Sequence, residues 1–335
     1  MLSKYKTYPL GNFIEQIRGV SYKKSDVSEV PKEGYIPLLR ANNIQAGKLV
    51  FSDVIYVKKE LVRDSQLIKK GDIVIAASSG SKEVVGKSGQ AHSDYDCSFG
   101  AFCKLIRAKE NINPRFLGYF FKTDYYSSSI SNSVNGANIN NLRNEHIDNL
   151  LIPIPSVSTQ KKIAKVLDKA QELIDKRKAQ IEALDQLTQS VFLEMFGDPR
   201  LNKKNWKKQK LNDVCLRKGE YGSGSSAIPY DSGKPRYIRI TDIRDDGSLN
   251  DDIVAPSNPD DYEKYRLNEG DILFARSGAT VGKTYLHSEK NGYCIFAGYL
   301  IRFVPDTSKI NPNFLFHFTR TQYYKQWVMN KQNTV

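Results

Sequence analysis

The sequence predicts an α+β protein: two tandem homologous domains of mixed α/β character, joined by a long coiled-coil-type α-helix. Three observations predict it. The chain repeats itself at a distance of 199 residues, each copy is a series of short β-rich pieces followed by a helix start, and the copies are separated by a stretch without glycine or proline. A period this long is not that of a solenoid, whose units run ~20–50 residues. It means two copies of one domain.

The repeat is carried by order, spacing and chemistry together. Arg40-Ala-Asn-Asn-Ile44 lies over Arg239-Ile-Thr-Asp-Ile243, and Gly71-Asp72-Ile73 over Gly270-Asp271-Ile272. Ile112-Asn113-Pro114, Phe116-Leu117 and Tyr125-Tyr126 match Ile310-Asn311-Pro312, Phe314-Leu315 and Tyr323-Tyr324 one residue out of step. The first domain is expected over residues 1–156, the spacer helix over 157–198 and the second domain over 199–335. Each copy is long enough to bury a core without disulfide staples.

In the first copy, strands are expected at Tyr35–Leu39, 49–51, 53–57, 72–76 and 102–106, where β-branched and aromatic residues alternate between turn signals. A helix follows Asn113-Pro114: Asn caps it, Pro fills the first position without losing a hydrogen bond, and Phe116, Leu117, Phe120 and Phe121 recur at helical spacing. The copy then continues through the run from Asn135 to Leu142 and through Leu151-Ile-Pro-Ile-Pro155. The spacer helix is expected from an N-cap at Ser158 to a stop at Gly197-Asp198-Pro199. Along it Ile163, Leu167, Ala170, Ile174, Arg177, Ile181, Leu184, Thr188, Val191 and Met195 step by fours and threes, widened by Val166, Leu173, Leu187 and Phe192. That stripe is expected to pair with another helix or dock a partner, through Ile163, Leu167, Ile174, Ile181, Leu184 and Val191. The second copy repeats the plan, with strands around Tyr237, Ile272 and Tyr299 and a helix after Asn311-Pro312.

Composition narrows the function class. Fifty Lys+Arg against 37 Asp+Glu give a net charge of +13, which favours a polyanionic partner, nucleic acid first. No apolar run is long enough to span a bilayer, and the first ten residues lack the apolar centre of a signal peptide. Cys97, Cys103, Cys215 and Cys294 show no metal spacing and read as buried thiols of a reducing cytoplasm; no metal site is expected.

Pro153-Ile-Pro155 leading into Gln160-Lys-Lys-Ile163, Phe196-Gly-Asp-Pro199 at the far end, and the paired Gly-Asp-Ile and Ile-Asn-Pro-x-Phe-Leu segments together resemble the specificity subunit of type I restriction–modification systems. The resemblance covers nearly the whole chain. It implies that each domain is a target recognition domain reading one half of a split duplex DNA target, with the helix as a ruler between them. It implies docking of two modification (methyltransferase) subunits and association with restriction (motor and nuclease) subunits. It implies no catalysis by this chain and no cofactor of its own: S-adenosylmethionine, ATP and Mg are expected only on partner subunits. A bacterial or archaeal cytoplasmic location is expected. In one respect the sequence departs from the family, which normally carries a second helical region after the second recognition domain. Here the second copy stops at Val335, so the stripe is expected to be covered either by a self-dimer or by a methyltransferase subunit. A solitary methylase and a subunit-sequestering short form are the rival readings.

Several motifs allow a plainer reading. Gly278-Ala-Thr-Val-Gly282-Lys283 and Gly80-Ser-Lys-Glu-Val-Val-Gly86-Lys87 approximate a P-loop, with three and five residues between glycines where four are needed. They read instead as polar turns between strands, from which Ser78, Ser79, Lys82 and Lys87, or Arg276, Ser277, Thr280 and Lys283, reach DNA. Asn113-Pro-Arg-Phe116 and Asn311-Pro-Asn-Phe314 resemble an amino-methyltransferase motif but lack an upstream glycine-rich cofactor turn, so both read as helix starts. Arg40, Asn42, Asn43 and Gln45, with Arg239, Thr241 and Asp242, carry base-reading chemistry, although residues shared by both copies equally suit a common structural task. Tyr221 and Ser223 in a glycine- and serine-rich loop, and Lys207 and Lys208 beside Trp206, complete the DNA-binding candidates; the lysines are expected on phosphates.

Overall fold

The two Gly-Asp-Ile motifs are turns that lock a strand to a helix. Gly71 and Gly270 hold φ of +93° and +85°, and a Cβ on either would sit 2.8 Å from Pro114 Cβ or 3.2 Å from Pro312 Cγ. The motif turn therefore packs directly on the Pro that opens the helix in the other repeated motif. The aspartates are buried, 3% and 1% exposed, and each accepts a backbone N–H three residues upstream, from Lys69 at 2.7 Å and from Asn268 at 3.0 Å. Arg107 binds Asp72 through both carboxylate oxygens at 2.9 and 2.6 Å. Arg302 takes that place beside Asp271 from a different position on its strand, 3.6 Å away, while also gripping Glu220.

The computed structural model describes residues 5–135 and 141–332; of the run from Asn135 to Leu142, residues 136–140 lie outside them, as do the chain's first four residues and its last three. The chain divides into two compact units, Met1–Asp175 and Lys176–Val335, each with its own cores, so the α+β reading holds. One long helix, Val157–Phe196, stands between the two domains of the repeat, and the boundary between the units falls inside it.

In the first unit a six-stranded sheet runs Ile14–Arg18, Cys103–Ala108, Ile73–Ala76, Ser88–Gln90, Lys48–Leu49, Ile44–Gln45. A four-stranded sheet holds Ser98–Phe99 parallel to Tyr35–Leu39, with Ile55–Lys58 and Val27–Ser28 beyond. The second unit repeats the centre: Glu220–Tyr221, Leu300–Phe303, Ile272–Ala275 and Thr284–Leu286 form one sheet, and Arg236–Ile238 pairs parallel with Cys294–Phe296. Both helix starts are as expected. Asn113 accepts from Phe116 N–H at the head of Pro114–Phe120, and Asn311 from Asn313 N–H at the head of Pro312–Thr319.

Five local expectations are corrected. The strand expected at 49–51 is Lys48–Leu49, and the one expected at 72–76 begins at Ile73, because Asp72 belongs to the turn whose Lys69 N–H it accepts. The strand expected at 53–57 begins at Ile55, because Asp53 sits at φ +55°, a left-handed turn position. The strand expected at 102–106 begins at Cys103, and Phe102 stands in the turn before it. Ser156, not Ser158, caps the long helix, its hydroxyl accepting from Thr159 N–H at 3.3 Å. The other end stops at Gly197, φ +81°, whose N–H reaches Leu193 O at 2.7 Å. Lys204 Nζ and Trp206 Nε1 donate to the last carbonyls of Met195 and Phe196, at 2.6 and 2.9 Å, which suits the negative end of a helix. The four cysteines are buried free thiols, and burial pushes Cys97 and Cys103 up to about 12.

Successive residues turn about 100° around a helix, so the long helix has two faces of different use. One is mostly polar and packs on its own unit. Gln160 is fully buried, accepting from Asn113 N–H at 2.7 Å and donating to Pro155 O, and Asp168 pairs with Arg115. In the other half Asp185 pairs with Arg320, and Phe192 and Phe196 pack against Phe314, tilted and edge-on, with ring centres 5.4 and 4.8 Å apart. The apolar stripe lies to one side of this face. Leu167, Ile174, Ile181, Leu184 and Val191 are exposed, and Ile163 is half-buried.

Candidate nucleic-acid interface

Each unit presents one loop between two central strands and one turn beside it. Residues 77–87 join Ile73–Ala76 to Ser88–Gln90; residues 276–283 join Ile272–Ala275 to Thr284–Leu286. Both loops close with the same pair of bonds: Gly86 N to Ala76 O and Ala76 N to Lys87 O at 2.8 and 2.9 Å, Gly282 N to Ala275 O and Ala275 N to Lys283 O at 2.9 Å each. A Cβ on Gly86 or Gly282 would lie 2.5 Å from Ile130 or 2.7 Å from Val328. These glycines serve a tight turn and a close helix approach. A strand follows the lysine in each, where a phosphate-binding loop would open a helix, so the P-loop resemblance carries no nucleotide site.

The neighbouring turn carries an aromatic side chain out of the fold. In the first unit Ala77 and Ser78 N–H groups hold Phe102 O at 2.8 and 3.0 Å; in the second Arg276 N–H holds Tyr299 O at 3.2 Å. The backbone is fixed while the rings stand in solvent, Phe102 69% and Tyr299 61% exposed. Arg276 Nε donates to Gly298 O at 3.2 Å, and its guanidinium lies 4.7 Å from the ring centre of Tyr221 and 5.8 Å from that of Tyr299. An exposed cation between two exposed phenols offers a phosphate contact, two stacking faces and two hydroxyls in one place. The first unit has buried Ala77 at the position of Arg276, and offers Lys82 and Lys87 exposed with Ser78 and Ser79 half-buried. The two units thus differ on a shared scaffold.

Residues of the other expected cluster are mostly structural. Asn43 is 1% exposed, accepts Arg40 N–H at 2.9 Å and donates to Val50 and Ser52 carbonyls. Asp242 is its counterpart, 1% exposed and bonded to Arg239 through backbone and guanidinium. Ser223 is buried too, its hydroxyl donating to Asp261 and accepting from Ser225 N–H. Asn43 and Asp242 are corrected from base readers, and Ser223 from a DNA-binding candidate, to loop braces, since their polar atoms are spent inside the fold. Arg239 is half-buried and its guanidinium donates to the Asp242 and Asp252 carboxylates at 2.7 and 2.8 Å, which favours a common structural task. Arg40 reaches Asp53 through the backbone carbonyl at 3.1 Å and the carboxylate at 3.6 Å, which favours the shared structural task.

Asn42, Gln45 and Thr241 are exposed, although Asn42 donates to Asp53 and Gln45 to the Asn42 carbonyl. Lys283 pairs with Asp245 at 2.8 Å; Ser277 and Thr280 are half-buried in the same loop. Lys207 and Lys208 are exposed. Sequence reading missed Phe102 and Tyr299. The signal was available: aligned through Cys103 and Leu300, which occupy the same strand position, both copies place an aromatic just before the strand. Among the described residues no His, Cys, Asp or Glu group could hold a metal, and no helix is long and apolar enough to cross a membrane.

A family profile described as type I restriction modification DNA specificity domain matches the chain twice, over residues 3–184 and 203–334. The chain is 37% identical over 280 residues to the type I restriction enzyme EcoKI specificity subunit of Escherichia coli (strain K12), spanning 80% of this chain and 60% of that protein. It is 32% identical to the type I restriction enzyme StySPI specificity subunit of Salmonella potsdam, spanning 98% of this chain and 74% of the relative. The crystal structure of a type I restriction–modification system S subunit from M. genitalium matches with a TM-score of 0.56 at 15% identity, over 98% of this chain and 79% of that one. At that identity the structural likeness concerns the fold alone.

Proposed function

The chain belongs to the type I restriction modification DNA specificity family, and from that premise we propose that it is a non-catalytic subunit reading a bipartite duplex DNA target. The observation that carries this reading is the double match of the family profile, once on each unit. The loop and turn ends described above are the proposed reading surfaces: residues 77–87 with Phe102 in the first unit, and 276–283 with Tyr221 and Tyr299 in the second. Lys207 and Lys208 contact phosphates, which position without reading. Modification subunits dock on the open apolar stripe of the long helix and supply S-adenosylmethionine and the methyl transfer; restriction subunits supply ATP-driven cleavage. Pairing of two copies through the stripe is the alternative cover, and light scattering at micromolar concentration separates the two.

The test is a pair of assays on the purified full chain. Gel shifts at rising salt give weak duplex binding that weakens steeply, with a log–log slope of about −0.9 per phosphate neutralised. Methyl transfer to DNA begins only when a modification subunit is added. Methylation by this chain alone would return it to the enzymes.

Within the surface, Arg276→Ala combined with Tyr299→Ala is expected to lower affinity for the cognate duplex by roughly ten- to a hundredfold, at about 1–3 kcal/mol for a lost stacking face. Asn43→Ala is expected to act on thermal stability instead, because it unbraces its own loop. Fluorescence anisotropy beside a melting curve distinguishes them; equal loss of DNA affinity at matched folding would restore Asn43 as a reader.

A further inference from the structure

The two loops share a backbone and differ in what stands on it. Ala77 and Arg276 occupy the same position after the central strand, and each gives its N–H to the carbonyl of the exposed aromatic, Phe102 or Tyr299. Ala77 is 3% exposed and ends in a methyl group, while Arg276 reaches solvent. Two modules that read different half-sites must differ where they read. Position 276 meets that condition, with the greatest possible contrast in hydrogen-bonding chemistry.

Arg276 also differs from the arginines around it. Among the described residues from 199 onward, every other exposed arginine lies within 3.6 Å of a carboxylate. Arg276 is paired with none, and Glu220, next to Tyr221 in the chain, has its carboxylate taken by Arg302 and Arg217. What holds the Arg276 side chain is the bond from Nε to Gly298 O at 3.2 Å and the rings of Tyr221 and Tyr299, centred 4.7 and 5.8 Å from the guanidinium carbon. The two terminal nitrogens make no hydrogen bond with the described residues. With Nε spent on a backbone carbonyl, they remain as a pair of donors whose direction is set before any ligand arrives. Little side-chain freedom is then lost on binding.

We infer that Arg276 reads a guanine, through the major groove, in the half-site of the second unit. This assignment rests on the chain reading duplex DNA as proposed above, and it names a base within that reading. A fork of two donors needs two acceptors side by side, and in the major groove guanine alone offers them, N7 and O6. Adenine sets its amino group against the second donor, cytosine presents a donor, and thymine puts a methyl beside its one acceptor. A phosphate also offers two acceptors, but that contact is served by a mobile point charge such as exposed Lys207 and Lys208 supply, and gains little from a fork pinned at Nε between two rings. Tyr221 and Tyr299 are positioning residues for the fork. The first unit, with a methyl group at the same position, makes no such demand on its own half-site.

Selection of duplexes from a library randomised in both half-sites, by the full chain with a modification subunit present, tests this for the wild type, Arg276→Ala and Arg276→Met. Methionine keeps a long stem between the rings and removes the donors. The wild type is expected to select a bipartite target with a guanine that it favours over each other base by roughly five- to 150-fold in competition anisotropy. Both variants are expected to lose that preference at this one position, to keep every other selected base in both half-sites, and to melt with the wild type because the residue is exposed. A phosphate contact would instead weaken all sequences alike, lower the log–log salt slope by about 0.9 and leave the base preferences intact. That result, a variant profile identical with the wild type's, or a preference lost at a base other than guanine would each overturn the assignment while leaving the proposed function in place. Selection of no bipartite target by the wild type would overturn the proposed function, and the assignment with it.

Discussion

Insertion of four residues into the long helix near position 175 is expected to abolish recognition of the native target and to create preference for one whose half-sites lie about two base pairs further apart. Four residues add about 6 Å of helix and a little more than one turn. Each base pair of duplex adds about 3.4 Å. The boundary between the units falls within this helix, and each half is fastened to its own unit by Gln160 and Asp168 or by Asp185 and Phe192. An insertion between those anchors leaves both reading surfaces intact. Selection from a library of randomised spacers, with a modification subunit present, measures the outcome. An unchanged spacer preference would remove the ruler from the proposed function while leaving the reading surfaces standing.

Asp72→Ala is expected to be the most destabilising single polar substitution in the first unit. Asp72 is 3% exposed and carries both Arg107 and the Lys69 N–H; its loss leaves a guanidinium, 21% exposed, facing carbonyls without a carboxylate. Breaking such a pair costs about 3–5 kcal/mol, taken at the lower end because Arg107 keeps some solvent. For a unit of this size that is a fall in Tm of roughly 10 °C, read by calorimetry as movement of one transition and not the other. The double change Asp72→Leu with Arg107→Leu should recover much of the loss, because no charge is then left unpaired. A fall below about 2 °C for Asp72→Ala would remove the ion pair from the account of why the motif is repeated.

Much of this was legible before any coordinates. Duplication requires only that order and spacing recur, so Gly-Asp-Ile and Ile-Asn-Pro identified equivalent turns and helix starts, and the absence of Gly and Pro over 157–196 marked the helix. The stripe Leu167–Val191 was also readable, since helical periodicity is a property of the chain. In the fold Leu167, Ile174, Ile181, Leu184 and Val191 of that stripe are exposed.

What side chains do inside the fold was not legible. Asn43, Asp242 and Ser223 have the chemistry of base readers and the burial of structural braces, and composition cannot tell these apart because a hydrogen bond to a carbonyl uses the same atoms as one to a base. Gln160 and Asp168 lie outside the apolar stripe yet bind the helix to its domain, because a polar face can be satisfied by protein as well as by water. The sequence by itself determined the doubling, the order of elements and the long amphipathic helix, all of which depend on local spacing. Only the tertiary structure decided which polar groups remain outward and which are spent inside the fold. Burial is a relation between distant segments, and spacing along a chain does not encode it.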